Sequence, residues 1–293
     1  MDDPAAAVLL AKPERIDGFD DELVQRLSSR LSGRSAALVE IAGRDSLAAA
    51  AVFSRSGSCR VLVPTITYTG TEYGNWGTLL ANARAVTDDP GINNGLEVTE
   101  TVILGSPGWW HAGAGRLAGE FNREYRFMPV CVACHMYLHA SRVPLARAIG
   151  ARTIVAGERL RHDNRFKLNQ IAPAVEAYRR VLAAAGVDLE LPLLEAESAS
   201  YIEGLVGPEH ADPHRQMKCT FEGNYRDARG GFSPSVPGLE PFLDRFLEPF
   251  TRAVLQSFAA GEKVPRYLEL ALAAFSDQPA RPRKGTADTG AMN

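Results

Sequence analysis

The feature that most constrains this chain is the junction between residues 36 and 53. Ala36-Ala37-Leu38-Val39-Glu40-Ile41 is apolar on both of its alternating faces, the pattern of a strand covered on both sides inside a parallel sheet. It runs into Ala42-Gly43, small enough for backbone N–H groups to reach an anion. Asp45 or Ser46 is then placed to cap a helix through Leu47-Ala48-Ala49-Ala50-Ala51-Val52-Phe53. A strand, a small-residue turn and a capped helix form the physical setting of a phosphate site, because the helix start adds partial positive charge to the exposed N–H groups. Arg44 adds a cation and Ser46 a hydroxyl donor. Asp45 would repel phosphate unless it caps the helix or helps to hold Mg2+.

The rest of the chain repeats the alternation. A second strand, Arg60 to Ile66, follows the Ser56-Gly57-Ser58 turn, and a helix is expected from Thr78 to Ala85. Turn residues at 88–91 and 93–95 separate it from a third strand, Val98 to Leu104. A long helix, Val132 to Ile149, leads to a fourth strand, Thr153 to Ala156. A helix from Ala172 to Ala185 then precedes a fifth strand or extended segment, Leu189 to Leu194. This order predicts an α/β fold with a mainly parallel five-stranded sheet flanked by helices and joined by right-handed crossovers. Leu23, Val24, Leu27 and Leu31 give an amphipathic opening helix. Near the other end Phe242, Phe246, Phe250, Val254 and Phe258 recur every four residues, which reads as core or dimer packing rather than a cofactor box. From about Ser276 the chain turns polar and rich in Pro, Lys and Arg, the composition of a disordered tail.

Charge and length exclude some classes. With 35 acidic and 32 basic side chains the formal charge is −3, so global attraction to nucleic acid is not expected, although a local basic face could meet tRNA. No stretch approaches the roughly 20 apolar residues of a membrane span, and Met1-Asp2-Asp3-Pro4 lacks the basic start of a secretory signal. A cytoplasmic protein without a membrane partner is the expectation.

Four cysteines in 293 residues do not make a disulfide framework. Cys59 stands alone before the second strand and reads as a buried thiol. Cys131 and Cys134 form a Cys-x-x-Cys pair at a helix start, where the helix end is expected to lower a thiol pKa. Cys219 lies far downstream. Three readings stand: buried thiols, a redox pair, or a metal or cluster site that recruits Cys219. Zinc takes four ligands as a rule and would need His135, His139 or His214 as the fourth. A [4Fe–4S] cluster on Cys131, Cys134 and Cys219 would leave one iron open to an outside ligand such as sulfide. Polar groups also gather after the fourth strand, where parallel sheets bind ligands. There Arg159 or Arg161 could meet phosphate, Lys167 a leaving pyrophosphate, and Asp163 Mg2+ or a water. Tyr73, Trp76, Trp109 and Trp110 read as base-stacking or core residues, and Lys218 as a substrate contact or a solvated cation.

Ile41-Ala42-Gly43-Arg44-Asp45-Ser46 resembles the Ser-Gly-Gly-x-Asp-Ser loop of the PP-loop ATP pyrophosphatases, with Ile41 in the place of Ser and Ala42 in the place of the first Gly. Val155-Ala156-Gly157-Glu158-Arg159 resembles the family's glycine motif after the fourth strand. The three-cysteine layout is similar to that of the cluster-dependent tRNA thiolation enzymes of this superfamily. The resemblance spans residues 35–230 and implies ATP cleavage to AMP and pyrophosphate through an adenylated intermediate. It implies nucleotide contacts at Ala42, Gly43, Arg44, Asp45, Ser46, Gly157, Arg159, Arg161 and Lys167, and catalytic roles for Asp45, Cys131, Cys134 and Cys219. The implied division is an N-terminal helical segment (1–34), a PP-loop ATP pyrophosphatase domain (35–235), a helical extension (236–275) and the tail (276–293). The expected chemistry is ATP-dependent sulfur insertion into a carbonyl, using Mg2+ and a [4Fe–4S] cluster, with sulfide or a sulfur-carrier protein as donor. No flanking Cys-x-x-Cys zinc ribbons are present, so the acceptor stays open between tRNA and a nucleobase or other small molecule; a homodimer is a further expected partner. Two alternatives keep the loop: a zinc-containing, amidating enzyme similar to the deazaguanine nitrile synthases, and a non-catalytic nucleotide or iron–sulfur binding module.

Overall fold

The computed structural model describes residues 4–15, 21–163, 166–226, 229–231 and 236–276. The expected tail lies, beyond Ser276, outside them. Among the described residues eight strands appear in chain order: β1 Ala36–Glu40, β2 Val61–Thr67, β3 Glu72–Tyr73, β4 Glu97–Val98, β5 Val102–Leu104, β6 Thr153–Val155, β7 Asp188–Glu190 and β8 Lys218–Cys219. Six form one parallel sheet in the order β4-β2-β1-β6-β7, with β5 also on β2; β3 and β8 make a separate antiparallel ribbon.

The expected third strand is interrupted for a reason visible in the register. Leu62 pairs with Val98 but Thr65 with Val102, so residues 99–101 carry one residue more than the facing stretch of β2. An extra residue on one side unpairs the ladder locally. The long helix expected over 132–149 is likewise two, Val130–Ala140 and Val143–Ala148. Pro144 lacks the N–H that a helix interior needs but fits the first turn of the second helix.

Alternate residues of the central strands feed two apolar layers. Leu38, Val61, Val63 and Ile154 enter one, while Ala37, Val39, Leu62 and Val155 enter the other. The second layer is covered by helices Arg44–Ser54 and Gly77–Asp88. The first also takes in Phe242, Phe246, Phe250 and Val254, so the phenylalanine stripe packs into the core. Phe121 lies 4.4 Å from Phe246, and Phe246 stacks on Phe250 at 5.6 Å. Such ring pairs add about 0.5–1.5 kcal/mol each beyond the area they bury.

The chain leaves β1 toward β2 on one side, and later returns to place β6 on β1's other side. The crevice beyond the carboxyl ends of β1 and β6 is therefore the switch point where open parallel sheets hold their ligands.

Candidate functional site

The 41–46 loop leaves β1 at this switch point. Gly43 is the residue before the helix, which begins at Arg44 with no side-chain cap, so neither Asp45 nor Ser46 caps it as the sequence suggested. The first turn of the helix closes in the usual way: the Ser46 and Leu47 N–H groups donate to the Gly43 carbonyl at 3.1 and 3.3 Å. Ser46 Oγ closes the turn, accepting from Ala42 N–H at 2.9 Å and donating to the Gly43 carbonyl at 2.6 Å. Asp45 pairs with Arg159 Nε at 2.9 Å and Arg44 Nε at 3.3 Å. Arg44 is buried and reaches Glu203 at 2.9 Å, so its charge is already matched.

Gly157 is where the second predicted segment meets the first. A Cβ there would lie 2.6 Å from the Asp45 carbonyl carbon and oxygen and 2.7 Å from Ser46 N. Backbone packs on backbone, which only glycine permits. Beyond it, Arg159 and His162 are buried with Arg159 Nη1 and both His162 ring nitrogens lacking a hydrogen-bond partner. Burial, followed by the charges of Lys167 and Arg159, pushes His162 down to about 4. These are donors, or potential donors, without acceptors beside the loop. Arg161 is turned outward to an exposed pair with Glu197. Asp163, given a metal or water role from the sequence, accepts from the Ala199 N–H at 3.3 Å. Asn82 was not recognised in the sequence; wholly buried, it donates at 3.0 Å to the carbonyls of both Ala42 and Arg215, tying the loop to the downstream segment.

The three site cysteines converge from separate segments. Cys131 and Cys134 lie on the helix Val130–Ala140, and Cys219 lies in β8, where it pairs with Glu72 of β3. All are free and partly buried. Cys131 Sγ lies 3.4 Å from Asn224 Oδ1 and 3.5 Å from the Phe221 carbonyl, and Cys219 Sγ lies 3.4 Å from Thr71 Oγ1. Burial and then the neighbouring Cys219 push the Cys131 thiol up to about 12; burial, with Cys131 and Cys219 adding, pushes Cys134 well above the usual thiol range. This reverses the lowering expected from the helix start: desolvation outweighs the dipole. Among the described residues the three thiols do not form a group with all sulfurs within 4.8 Å of one another, whereas a single tetrahedral zinc with bonds of about 2.3 Å would gather its sulfurs to about 3.8 Å. Cys59 is buried, and burial pushes its thiol up to about 11.

A buried polar chain lies behind the helix that carries the thiols. Arg142 Nε donates to Thr65 Oγ1 at 2.7 Å, and its Nη1 pairs with Glu40 at 3.2 Å. Glu40 meets His139 Nδ1 at 2.7 Å; His139 Nε2 faces Glu158 at 3.3 Å; Glu158 meets His135 Nδ1 at 2.6 Å; and His135 Nε2 meets the Asn169 amide at 2.9 Å. Burial disfavours charge on His139, but Glu40 and Glu158 overcome it and raise its pKa to about 9. Burial likewise opposes the Glu158 carboxylate, and the two histidines overcome it and hold Glu158 well below the carboxylate range. The sequence reading treated His135 and His139 as reserve ligands for the cysteines and gave Glu40, Arg142 and Glu158 no role. The i, i+4 spacing of the two histidines was the available signal.

Trp76, Trp109 and Trp110 are packed in the interior, whereas Tyr73 and Phe221 are exposed near the thiol segments. No helix among the described residues is long and apolar enough to cross a membrane.

No family model matches the chain. Over 224 residues it is 31% identical to Uncharacterized protein MJ0009 of Methanocaldococcus jannaschii, across 76% of this chain and 80% of the relative. The chain belongs to the family of that protein. A solved structure, a 4-thiouridine synthetase–RNA complex with bound ATP, is similar at a TM-score of 0.47 and 14% identity, over 83% of this chain and 54% of that one. The chain thus spans about half the length of that synthetase chain.

Proposed function

We propose that the chain is a PP-loop-type adenylating transferase of the cytoplasm: it uses ATP and Mg2+ to activate a carbonyl oxygen of a nucleobase, in tRNA or as a small molecule, and replaces that oxygen with sulfur. Residues 35–235 form the catalytic domain in this reading, and 236–275 a helical extension. The observation that carries it is the meeting of two sites at one end of the sheet. The 41–46 loop packs on Gly157 with Arg159 and His162 offering unmatched donors, and the thiols of Cys131, Cys134 and Cys219 gather beyond the same strand ends.

The 41–46 backbone and Arg159 would read the nucleotide's phosphates, and Asp45, paired with Arg159, would be the carboxylate available to Mg2+. The donor set fits a cluster: three thiols spaced wider as a group than one ion requires, of which Cys131 and Cys134 are kept protonated by burial and are costly to ionise unless a cation offsets the charge. Cys131, Cys134 and Cys219 would hold a [4Fe–4S] cluster, which would supply Lewis-acidic iron for handling sulfide. The protein's own part is to position the adenylated carbonyl and exclude water from it. Tyr73, Phe221 and Lys218 border the thiols and offer stacking faces and a cation to the acceptor.

Anaerobically purified protein, analysed for iron and acid-labile sulfide and then supplied with ATP, sulfide and either tRNA or free bases, tests the reading. Iron with sulfide, and pyrophosphate release matched to thiolated product, are expected. Iron-free protein that releases no pyrophosphate with either acceptor class overturns it.

A further inference from the structure

The buried chain behind the thiols contains a group that the proposed sulfur chemistry leaves unused. His135 and His139 lie four residues apart on the helix Val130–Ala140, which puts both imidazoles on one face. Glu158 reaches that face from the loop after β6. One ligand atom from each of the three lies within 4.8 Å of the others.

Each imidazole has one nitrogen directed at Glu158 and the other held from behind. His139 presents Nε2 to Glu158, while its Nδ1 is fixed by Glu40, itself fixed by Arg142. His135 presents Nδ1, while its Nε2 is fixed by the Asn169 side-chain amide, which can turn its oxygen to accept the N–H. A metal-binding histidine is supported in just this way, its second ring nitrogen donating to a carboxylate or amide that sets tautomer and orientation. The front of the site is incompletely satisfied: Glu158 Oε2 is buried without a hydrogen bond, and His139 Nε2 has only the 3.3 Å ion pair with Glu158 Oε1. An ion-pair chain accounts for Glu158 Oε1, which meets both histidines, and leaves Oε2 idle where desolvation is expensive. A cation between the three side chains uses all of these atoms.

We propose that His135, His139 and Glu158 form a binding site for a divalent transition-metal ion of the zinc class, separate from the cysteines. Two imidazoles and one carboxylate select such an ion over Mg2+ or Ca2+, which favour all-oxygen shells. Three protein ligands leave a fourth position open, on the side of His135, the part-exposed member of the group. His135 follows Cys134 and lies four residues after Cys131, so the site adjoins the thiols along one helix, but the three ligand atoms that converge belong to His135, His139 and Glu158 and to no cysteine. The ion would pin the residue after Gly157 to that helix and thereby hold Gly157 against the 41–46 loop.

The test removes the thiols from consideration. Full-length protein with Cys131, Cys134 and Cys219 all changed to Ser is stripped with chelator and titrated with cobalt(II), then with zinc(II). One equivalent of cobalt is expected, with visible d–d bands, no thiolate-to-cobalt charge-transfer absorption, and displacement by zinc. Adding Glu158→Gln should weaken binding by at least about 100-fold. If that variant fails to fold by circular dichroism, His135→Ala at the part-exposed end should show the same loss. Absence of cobalt binding by the folded triple-serine protein, or binding unchanged by the ligand substitutions, overturns the proposal. Neither result depends on whether the thiols hold a cluster.

Discussion

The 41–46 loop and the cysteine cluster stand at the same end of the sheet but are built in opposite ways. The loop is already satisfied within the protein: Ser46 closes the turn, Arg44 is matched by Glu203, and Asp45 is matched by Arg159. The thiols come from remote segments and remain free, and burial suppresses the ionisation of Cys131 and Cys134. The loop is thus prepared before a ligand arrives, since its charges are paired and its backbone is braced. The thiols are in the reverse condition, because their reactive form is stable only once a cation joins them. Stability should therefore depend on the loop's side chains, and chemistry on the thiols.

Six substitutions sharpen or break that contrast. The largest effect is expected from Cys131→Ser, Cys134→Ser or Cys219→Ser: each abolishes thiolated product in a mass-spectrometric assay while leaving ATP–pyrophosphate exchange within about threefold of the parent. Loss of exchange as well would show that the two regions are not separable. Asp45→Asn comes next, because it leaves the buried Arg159 guanidinium without its carboxylate. Breaking such a pair costs about 3–5 kcal/mol, to be read from urea unfolding, and the cysteine variants should show no comparable loss.

His162 gives the contrast a pH signature. Its folded pKa of about 4 lies below the ordinary histidine value near 6.5, so the unfolded chain binds more protons between those limits. Its contribution is fully present above about pH 6.5 and is lost as pH falls toward 4, amounting to about 3 kcal/mol at most. His162→Gln should flatten the acid side of the stability profile; an unchanged slope would mean that the buried ring is not neutral in the folded protein. The smallest effect is expected from Gly157→Ala, which presses a methyl on the Asp45 backbone. Overpacking of this kind costs about 1–3 kcal/mol, and calorimetry should show ATP affinity reduced by up to about 100-fold with the thiols' metal content unchanged.

Elements defined by local pattern were legible in the sequence. The apolar run of β1, the small-residue turn and the helix after it all formed, and the glycine after β6 met the loop. Asp45 and Ser46 read as caps because their type favours that role, yet a helix that starts earlier, at Arg44, gives Asp45 to Arg159 and leaves the Ser46 hydroxyl to close the turn. Long-range assembly was less legible. Nothing near Asn82 announces that it bridges residues 42 and 215, and Glu40 reads as an ordinary strand end until His139 and Arg142 are folded against it. The thiol pKa direction was misread because a helix start is visible in a sequence and the burial around it is not.

The ribbon of β3 and β8 carries one further consequence. Cys219 is held there by two paired positions, Glu72 with Cys219 and Tyr73 with Lys218, supplemented by the Thr220 N–H to the Thr71 carbonyl. So short a ladder opens at far less cost than a helix buried in the core. Cys131 and Cys134 are therefore a standing pair, and Cys219 is a latch that completes the trio only when shut. Loading should proceed in that order, and hydrogen exchange should record it as new protection at residues 218–220 with little change at 131–134.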